Sequence, residues 1–345
     1  MAAEEVQVGD HVVRVTSGDR VVLPELGVTK RDVVAHVLAV GDALLAALDG
    51  RPTTVERWPQ GVQPGFSLTS RDNPDGEAFY QKRAPAKRPD FVDVADVRFP
   101  SGRPATMVTP RNVATLVWLA NLGTLRFHPW PVTAPDVDHV DELRLDLDPQ
   151  PGTDASDAAA AALVVREVLA EVGITGFPKT SGGRGLHVHA RIEPADFVDA
   201  RHAVIAIARE VERRMPDRVT TSWWKEERGE RVFIDFNQMA RDRLMTSAYS
   251  IRPTAAGLVS TPLTWEEVPD VQPSDHTILT VADRVATIGD PWAALHASTP
   301  ASLGAALAWW ERDVADGLGE MPYPPEYPKM PGEPPRVQPS RARER

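Results

Sequence analysis

The sequence predicts an α+β fold in which one mixed sheet carries the chemistry. Strand patterns and amphipathic helical patterns both recur along the 345 residues, but they do not alternate in a strict strand–helix–strand rhythm. Apolar residues make up 42 % of the chain and charged residues 25 %, which is typical of a globular protein with a sizeable core. Together these observations favour an α+β or mixed-sheet architecture.

The composition excludes several classes of protein. The chain has no cysteine, so disulfides, thiolate metal sites and thiol nucleophiles are excluded. No apolar run approaches the ~20 residues of a membrane span, and the initial MAAEEVQVGD lacks the features of a signal peptide. We therefore expect a cytoplasmic protein without a membrane partner. The formal net charge of −11 argues against nonspecific coating of DNA but leaves room for a local basic groove.

In the first half of the chain, alternation and capping residues predict the elements. His11–Thr16 alternates as a strand, and Thr29 followed by Asp32 predicts the start of a helix that ends at Gly50. Asn112 predicts the cap of a second helix, VATLVWLANL. Between these helices the strand patterns are TTVERW, EAFYQK, DFVDVADVRF and ATMVTP.

In the second half, strands and helices again follow one another irregularly. The strand patterns are TLRFHPW, LRLDLDP, LHVHARI and RVFIDFNQM. A third helix is predicted to begin at a cap formed by Ser156 or Asp157, a fourth spans residues 200–214, and residues 291–310 are helical again. From Gly319 onward, eight prolines and five basic residues within 27 residues predict an extended or disordered tail.

Two aspartates interrupt the apolar strand pattern LRLDLDP. Residues two apart in a strand point to the same side, so Asp146 and Asp148 share one face and the leucines between them bury the other. Two carboxylates this close raise each other's pKa unless a cation intervenes. Mg²⁺ or Mn²⁺ is the natural neutraliser, because each takes oxygen ligands. A solvated strand end beside a Pro-Gly loop is the competing interpretation.

A third aspartate lies in the strand pattern RVFIDFNQM. Val232, Ile234 and Phe236 form the apolar face, so Asp235 points the other way. Alone, such a residue is usually a hydrogen-bonded structural acid. With the earlier Asp-x-Asp strand, it predicts a three-carboxylate site on adjacent strands that holds two ions ~3.5–4 Å apart.

A glycine-rich turn offers a second chemical feature. Ser181–His187, SGGRGLH, provides backbone N–H groups, a hydroxyl and a guanidinium, which together suit a phosphate. A bare hairpin turn explains the glycines equally well. His187 and His189 lie on the same face of the following strand, where they are candidate phosphate contacts or metal ligands. His128, in RFHPW, is a candidate for the same site, and a structural histidine is the alternative.

Two arginines flank the strand of Asp235. Arg228 precedes the aspartate by seven residues, and Arg252 follows it by seventeen. Each is a candidate clamp for a triphosphate, although an isolated arginine is more often a surface residue.

These motifs, in this order, resemble a known family. Asp-Leu-Asp at 146–148, Ser-Gly-x-x-Gly-x-His at 181–187 and Phe-Ile-Asp at 233–235 are similar to the three motifs of archaeo-eukaryotic primases. The polymerase domain of bacterial ATP-dependent DNA ligase D is the more similar branch. That similarity is carried by VVLPELGVTKRDV, RPTTVERWPQG, EAFYQKRAP, LANLGTLRFHPW, FPKTSGGRGLHV, RVFIDFNQ, SAYSIRP and STPLTWEEV. Because no Lys-x-Asp-Gly ligase motif is present, the chain resembles a stand-alone actinobacterial form.

The resemblance implies a domain organisation. It implies a primase-like polymerase domain over residues 1–318 with an RRM-like mixed or antiparallel catalytic sheet. An N-terminal α/β part would extend to about residue 123, a catalytic part would cover about 124–290, and a helical part would cover 291–318. Residues 319–345 would form the Pro-rich basic tail.

The resemblance also implies an activity. The family members are template-directed nucleotidyltransferases that act in gap filling, end joining or priming, often with ribonucleotides and Mn²⁺ or Mg²⁺. The implied partners are DNA with gaps or ends, nucleoside triphosphates, a DNA ligase and an end-binding protein, and the implied location is the cytoplasm with the nucleoid.

By motif match, the resemblance assigns roles to particular residues. The metal-binding and catalytic residues would be Asp146, Asp148 and Asp235. The nucleotide-binding residues would be Ser181, Arg184, His187, His128, Arg228, Gln238 and Arg252. The template base would contact Phe79 and Tyr80, and a DNA 5′-phosphate would contact Arg20, Lys30 and Arg57.

The sequence departs from the family pattern at four places. Glu56-Arg57 stands where relatives usually have Lys-Arg, and an acid beside a phosphate pocket is expected to weaken recognition of the 5′-phosphate. Arg184 replaces a common lysine, which keeps the charge and changes its geometry. Residues 67–75 look inserted, and the segment between His128 and Asp146 is short.

Two other classes of function are compatible with parts of the sequence. One is a non-catalytic module that binds nucleic-acid ends and recruits repair partners, although all three acids are present. The other is a glycosyltransferase whose Asp-x-Asp pair holds Mn²⁺ and a nucleotide sugar. The Ser181 turn and the third aspartate fit a glycosyltransferase poorly.

Overall fold

The computed structural model describes residues 3–48, 50–69, 73–99 and 102–322. In these ranges the strands are β1 (Glu4–Val8), β2 (His11–Val15), β3 (Val21–Leu23), β4 (Val28–Thr29), β5 (Thr53–Arg57), β6 (Phe79–Gln81), β7 (Val94–Arg98), β8 (Pro104–Val108), β9 (Thr124–Pro129), β10 (His139–Pro149), β11 (Phe177–Thr180), β12 (Leu186–Asp196), β13 (Val219–Thr220) and β14 (Val232–Ile234). The α-helices are α1 (Lys30–Ala39), α2 (Gly41–Leu48), α3 (Val113–Asn121), α4 (Ala155–Glu171), α5 (Phe197–Arg214), α6 (Val281–Ile288), α7 (Ala293–Ala297) and α8 (Gly304–Ala315).

A first sheet organises the N-terminal part. Its strand order is β6-β5-β8-β7, and β9 pairs with β5 as well. Helices α1, α2 and α3 contribute apolar side chains to one core, in which Leu44 and Leu116 are fully buried. The predicted capping box of Thr29 and Asp32 is present. The single helix predicted to run to Gly50 is divided at Val40 into α1 and α2.

A second sheet carries the three motifs. Its order is β11-β12-β10-β14-β13, antiparallel throughout except for the β13–β14 pair. The leucines of LRLDLDP are completely buried in the core that α4 and α5 share with this sheet. The predicted α+β fold with a mixed, mainly antiparallel catalytic sheet is therefore confirmed.

Several element boundaries differ from the sequence prediction: α5 begins at Phe197 and not at residue 200, and the helical stretch predicted over 291–310 is divided between α7 and α8. Asp154, not Ser156 or Asp157, caps α4, because its carboxylate accepts from Ser156 N–H and Asp157 completes a capping box. β14 ends at Ile234, and Asp235 caps a short 3₁₀ helix over Phe236–Met239.

The segment that follows the second sheet packs back against a strand of the first sheet. After the second sheet, the backbone pairs with β9: Ser247 N–H donates to Phe127 O at 2.8 Å, and Ile251 N–H donates to Leu125 O at 2.9 Å. Arg252, which directly follows Ile251, therefore lies beside both sheets. The proposed division near residues 123 and 290 stays a prediction.

The C-terminal part is only partly described. Residues 319–322 have no regular secondary structure and pack along α5, and residues 323–345 of the predicted tail lie outside the described ranges. None of the helices in the described ranges is long and apolar enough to cross a membrane.

Candidate active site

Three aspartates meet at the centre of the second sheet. Asp146 and Asp148 lie on β10, and Asp235 directly follows β14, the antiparallel neighbour of β10. The backbone N–H of Asp235 donates to the carbonyl oxygen of Asp146 at 2.9 Å. The predicted meeting of these acids is thus present in the structure, while their role in metal binding stays a prediction.

The three carboxyl groups share an unusual electrostatic environment. Burial raises the pKa of Asp146 to about 6, although the Lys179 and Arg252 charges oppose this shift. Burial and the neighbouring Asp146 raise the pKa of both Asp148 and Asp235. Neighbouring acids that repel one another suit a divalent cation, which would neutralise them with oxygen coordination.

A glutamine lies between two of these acids. Gln238 Nε2 donates to Asp146 Oδ2 at 3.2 Å and to Asp235 Oδ2 at 2.9 Å. Within the described ranges, no group of three acidic or histidine side chains is arranged closely enough to hold a metal ion as it stands. The donor set still fits Mg²⁺ or Mn²⁺, because it consists of carboxylate oxygens beside an open cleft.

The cleft beside the acids has a volume of about 290 Å³. Besides the aspartates and Gln238, its lining includes Gln150, Trp223, Lys225, Arg228, Asn237 and Arg243. Arg228 stacks its guanidinium 3.5 Å above the centre of the Phe233 ring and donates to Gln150 Oε1 at 3.4 Å. Sequence reasoning missed Lys225 and Arg243, although both are basic residues that flank the Asp235 strand.

The glycine-rich turn lies directly against the acidic strand. A Cβ at Gly185 would lie 2.5 Å from the Leu147 carbonyl oxygen, so only glycine permits this approach. Ser181 N–H donates to Gly185 O at 2.9 Å, and Ser181 Oγ accepts from Gly183 N–H at 3.1 Å. The guanidinium of Arg252 lies over Gly183, where a Cβ would lie 3.1 Å from its Nη1.

Arg184 turns away from this cradle. Its guanidinium donates to the carbonyl oxygens of Pro149 at 3.2 Å and Thr153 at 3.4 Å, in the loop that follows Asp148. The turn therefore brings Ser181 and Arg252 together, and it directs Arg184 to the start of the next loop.

A buried lysine missed by the sequence analysis orients His187. Lys179 is fully buried, and its Nζ contacts Ser260 Oγ at 2.5 Å and His187 Nδ1 at 2.9 Å. An ammonium group only donates hydrogen bonds, so His187 Nδ1 is the acceptor and the ring hydrogen lies on Nε2. His187 Nε2 lies 3.3 Å from Asp146 Oδ1. Burial lowers the pKa of Lys179 to about 7, and burial and the Lys179 charge lower the pKa of His187 well below its usual range.

The second histidine of this strand belongs to a different network. His189 Nδ1 lies 2.9 Å from Glu142 Oε1, and Glu142 also pairs with Arg144 at 2.6 Å. His189 is 4 % exposed. The structure thus assigns His189 to a buried ion network, which corrects its interpretation as a phosphate contact or metal ligand.

Glu56 contacts Arg126, Trp58 and His128 and not the predicted 5′-phosphate residues. Its carboxylate forms an ion pair with Arg126, accepts from Trp58 Nε1 at 2.8 Å and lies 3.8 Å from His128 Nε2. Burial alone would raise the pKa of Glu56, but His128 and Arg126 lower it to about 2. The ion pair with Arg126 argues against the expectation that Glu56 disturbs the 5′-phosphate pocket, and the effect of Glu56 on that pocket stays a prediction.

Replacing Glu56 with glutamine is expected to lower the free energy of unfolding by about 3 kcal/mol, because Arg126 loses its buried counterion. Urea denaturation at pH 7 measures this change. Glu4→Gln is the control, since Glu4 pairs with Arg31 on the surface and should leave the midpoint unchanged. An equal midpoint for Glu56→Gln and the parent would contradict a structural ion pair.

The two predicted template aromatics point to different neighbours. Phe79 lies under the guanidinium of Arg57, 5.2 Å from its Cζ, whereas Tyr80 meets the His128 ring edge-on at 5.7 Å. The Tyr80 hydroxyl also lies 3.5 Å from Arg126 Nη2. Phe79 therefore contacts one of the predicted 5′-phosphate residues, whereas Tyr80 lies beside His128 and Arg126.

The three predicted 5′-phosphate residues form one basic cluster. Lys30 Nζ donates to Asn121 O at 2.9 Å, and Arg57 Nε donates to Leu122 O at 2.9 Å. Burial lowers the pKa of Lys30, and the positive charges of Arg20 and Arg57 lower it further. The predicted gathering of these cations is present, and their ligand stays a prediction.

Comparison with known proteins agrees with this architecture. The polymerase domain from Mycobacterium tuberculosis ligase D, solved in complex with DNA, has a TM-score of 0.75 and 30 % identity to this chain. The match covers 84 % of this chain and 99 % of that one. The protein thus has the fold of a ligase D polymerase domain.

The family assignment follows from the sequence. Residues 29–292 match the family described as LigD, primase-polymerase domain, and the chain therefore belongs to that family. This confirms the resemblance found in the motifs. Two relatives are the Mycobacterium tuberculosis H37Rv "Multifunctional non-homologous end joining DNA repair protein LigD" and the Bacillus subtilis 168 "Bifunctional non-homologous end joining protein LigD".

Both relatives are much longer than the matched segment. Each is 31 % identical, over 84 % and 80 % of this chain respectively. The matched region spans 37 % of the mycobacterial protein and 43 % of the Bacillus protein. The chain therefore corresponds to less than half the length of each relative.

Proposed function

We propose that this protein is a DNA-dependent nucleotidyltransferase that adds nucleotides, preferentially ribonucleotides, to primer 3′ ends during gap filling or end joining. The proposal is carried by one observation: three aspartates line one cleft beside the Ser181 turn, against which the Arg252 guanidinium is packed. Membership of the LigD primase-polymerase family and the end-joining names of the relatives support this choice.

Asp146, Asp148 and Asp235 would hold two Mn²⁺ or Mg²⁺ ions. When bound, such ions lower the pKa of an attacking hydroxyl and stabilise a leaving pyrophosphate. The raised pKa values of the three acids support this assignment, because a nearby cation would relieve their repulsion.

The chain's own cations and N–H groups would bind the triphosphate. The backbone of the Ser181 turn, Arg252 and His187 offset the negative charge that develops on the phosphates. Lys179 holds His187 in the tautomer that donates from Nε2. Further nucleotide contacts would come from Arg184, His128, Arg228 and Gln238.

DNA would be held on the side of the first sheet. Tyr80 and Phe79 would stack on the template strand, and Arg20, Lys30 and Arg57 would bind the 5′-phosphate at the far side of a gap. We further propose a DNA ligase and an end-binding protein as partners, and action in the cytoplasm with the nucleoid.

Primer extension on a gapped duplex tests this function and its 5′-phosphate dependence. We expect extension with Mn²⁺, more with ribonucleotides than with deoxynucleotides. A 5′-phosphate should stimulate extension about tenfold, because charge-assisted hydrogen bonds would anchor the gap. This reverses the expectation drawn from Glu56, whose carboxylate pairs with Arg126.

The matched variants are Lys30→Met and Lys87→Met. Lys30 is buried within the basic cluster, whereas Lys87 is exposed. Lys30→Met should remove the stimulation by the 5′-phosphate, and Lys87→Met should keep it. Absence of extension under every condition, with retained DNA binding, would favour a non-catalytic end-binding module.

A further inference from the structure

A buried arginine connects the C-terminal segment to the active-site turn. Arg201, on α5, is 1 % exposed, and a guanidinium in such a position is costly unless its donors are satisfied. Its Nε donates to Asn237 Oδ1 at 2.9 Å. Its Nη1 donates to Glu320 Oε1 at 2.6 Å, and its Nη2 donates to the Met321 carbonyl oxygen at 2.7 Å. Arg201 thus contacts the turn after Asp235 and the segment 319–322 at once.

Other α5 side chains hold the same segment in place. Arg209 Nη2 donates to Gly319 O at 2.7 Å, and His202 Nε2 lies 2.5 Å from Glu320 Oε2. The His202 ring stacks on Trp310 of α8, with centroids 4.1 Å apart. The segment 319–322 is therefore an attached part of the fold on this face of α5.

Asn237 connects Arg201 to Asp235 through two hydrogen bonds. A guanidinium has only donors, so the Asn237 atom that faces Arg201 is the amide oxygen. The backbone N–H of Asn237 donates to Asp235 Oδ1 at 2.9 Å, and Asn237 lines the cleft of the three aspartates. Asn237 is 2 % exposed, so the turn has little freedom to adopt another position while Arg201 holds it.

We propose that Arg201 is a positioning residue: anchored by the segment 319–322, it holds Asn237 and thereby keeps the Asp235 carboxylate oriented toward Asp146 and Asp148. The proposal rests on the proposed function, in which these acids bind the metal ions. Its consequence is that a side chain in the C-terminal segment, Glu320, affects metal binding in the cleft without touching it.

The test compares two carboxylates that each pair with an arginine of α5. Glu320 pairs with Arg201, whereas Glu171 pairs with Arg214 at the opposite end of the helix, and their side chains are 52 % and 48 % exposed. Mn²⁺ binding to the full chain, followed by the electron paramagnetic resonance signal of free Mn²⁺, is the first readout. The second is primer extension, separated into kcat and the KM for the nucleotide.

We expect Glu320→Ala to weaken Mn²⁺ binding about fivefold and to lower kcat with little change in KM. Arg201→Lys should give a similar or larger loss, because a lysine keeps the charge but cannot hold both groups. Glu171→Ala should bind Mn²⁺ like the parent. Equal Mn²⁺ affinity in Glu320→Ala, Glu171→Ala and the parent would overturn the proposal and leave Arg201 a packing residue.

The two proposals fail in different ways. A parent protein that binds Mn²⁺ in the cleft but extends no primer would refute the proposed function, and the Glu320→Ala and Glu171→Ala affinities would still decide the role of Arg201. A parent protein that binds no Mn²⁺ would overturn both proposals.

Discussion

The Asp146→Asn/Asp148→Asn variant is expected to lose primer extension by about 1,000-fold or more, because it removes the oxygen charges that would hold the metal ions. Both residues lie on one face of β10, beside Asp235. Extension of a gapped duplex with Mn²⁺, followed by gel electrophoresis, measures the loss. Extension at the parent rate would show that the site has been assigned wrongly.

The same variant should be more stable than the parent protein at pH 7 without metal. The folded-state pKa of Asp146 is about 6, above its ordinary value of 3.8, so the folded protein binds more protons between these values. Stability therefore falls as pH rises through this window, and an uncharged side chain avoids that fall. We expect a gain of roughly 2 kcal/mol in urea denaturation.

A surface acid provides the control for both measurements. Asp138 lies just before β10, is largely exposed and pairs with Arg241. Asp138→Asn should keep both extension and stability. An Asp146→Asn/Asp148→Asn variant that proved less stable than Asp138→Asn would contradict the raised pKa values.

Replacing Arg252 with alanine is expected to lower kcat/KM for the nucleotide by about 100-fold or more, comparable to the loss of one donor that stabilises developing charge. Arg252 lies against Gly183 and is close enough to Asp146 to oppose the rise in its pKa. Steady-state extension with varied nucleotide concentration measures the effect.

Two further variants separate charge from geometry. Arg252→Lys should recover only part of the activity, because an ammonium cannot form the forked contact of a guanidinium. Arg184→Ala should cost much less, since Arg184 donates to the carbonyl oxygens of Pro149 and Thr153. Equal losses in Arg184→Ala and Arg252→Ala would contradict the arrangement of the triphosphate site proposed above.

Local rules of sequence predicted much of this molecule. The capping box of Thr29 and Asp32 and the Asn112 cap occur where short-range hydrogen bonding requires them. The period of two in LRLDLDP placed Asp146 and Asp148 together, opposite buried leucines. Such features depend on residues a few positions apart, so the sequence pattern carries them directly.

Two sequence interpretations did not anticipate the partners that the structure shows, for one physical reason. Glu56 was expected to disturb a phosphate pocket, but it pairs with Arg126 across the β5–β9 strand pair. His189 was a candidate for the site, but it joins the buried network of Glu142. In both cases the partner comes from a distant part of the chain, and burial decides whether a charge acts on a ligand or on its partner.

Periodicity and turn chemistry are local, so the fold class, the order of the motifs and the strand faces of the acids can be predicted from the chain alone. Which charges meet depends on how the chain folds. Lys179 beside His187, Gln238 between Asp146 and Asp235, and Arg201 between Asn237 and Glu320 all join residues that strand register and helix packing bring together. Ion pairs and hydrogen bonds act over a few ångströms, and those distances exist only once the chain has folded.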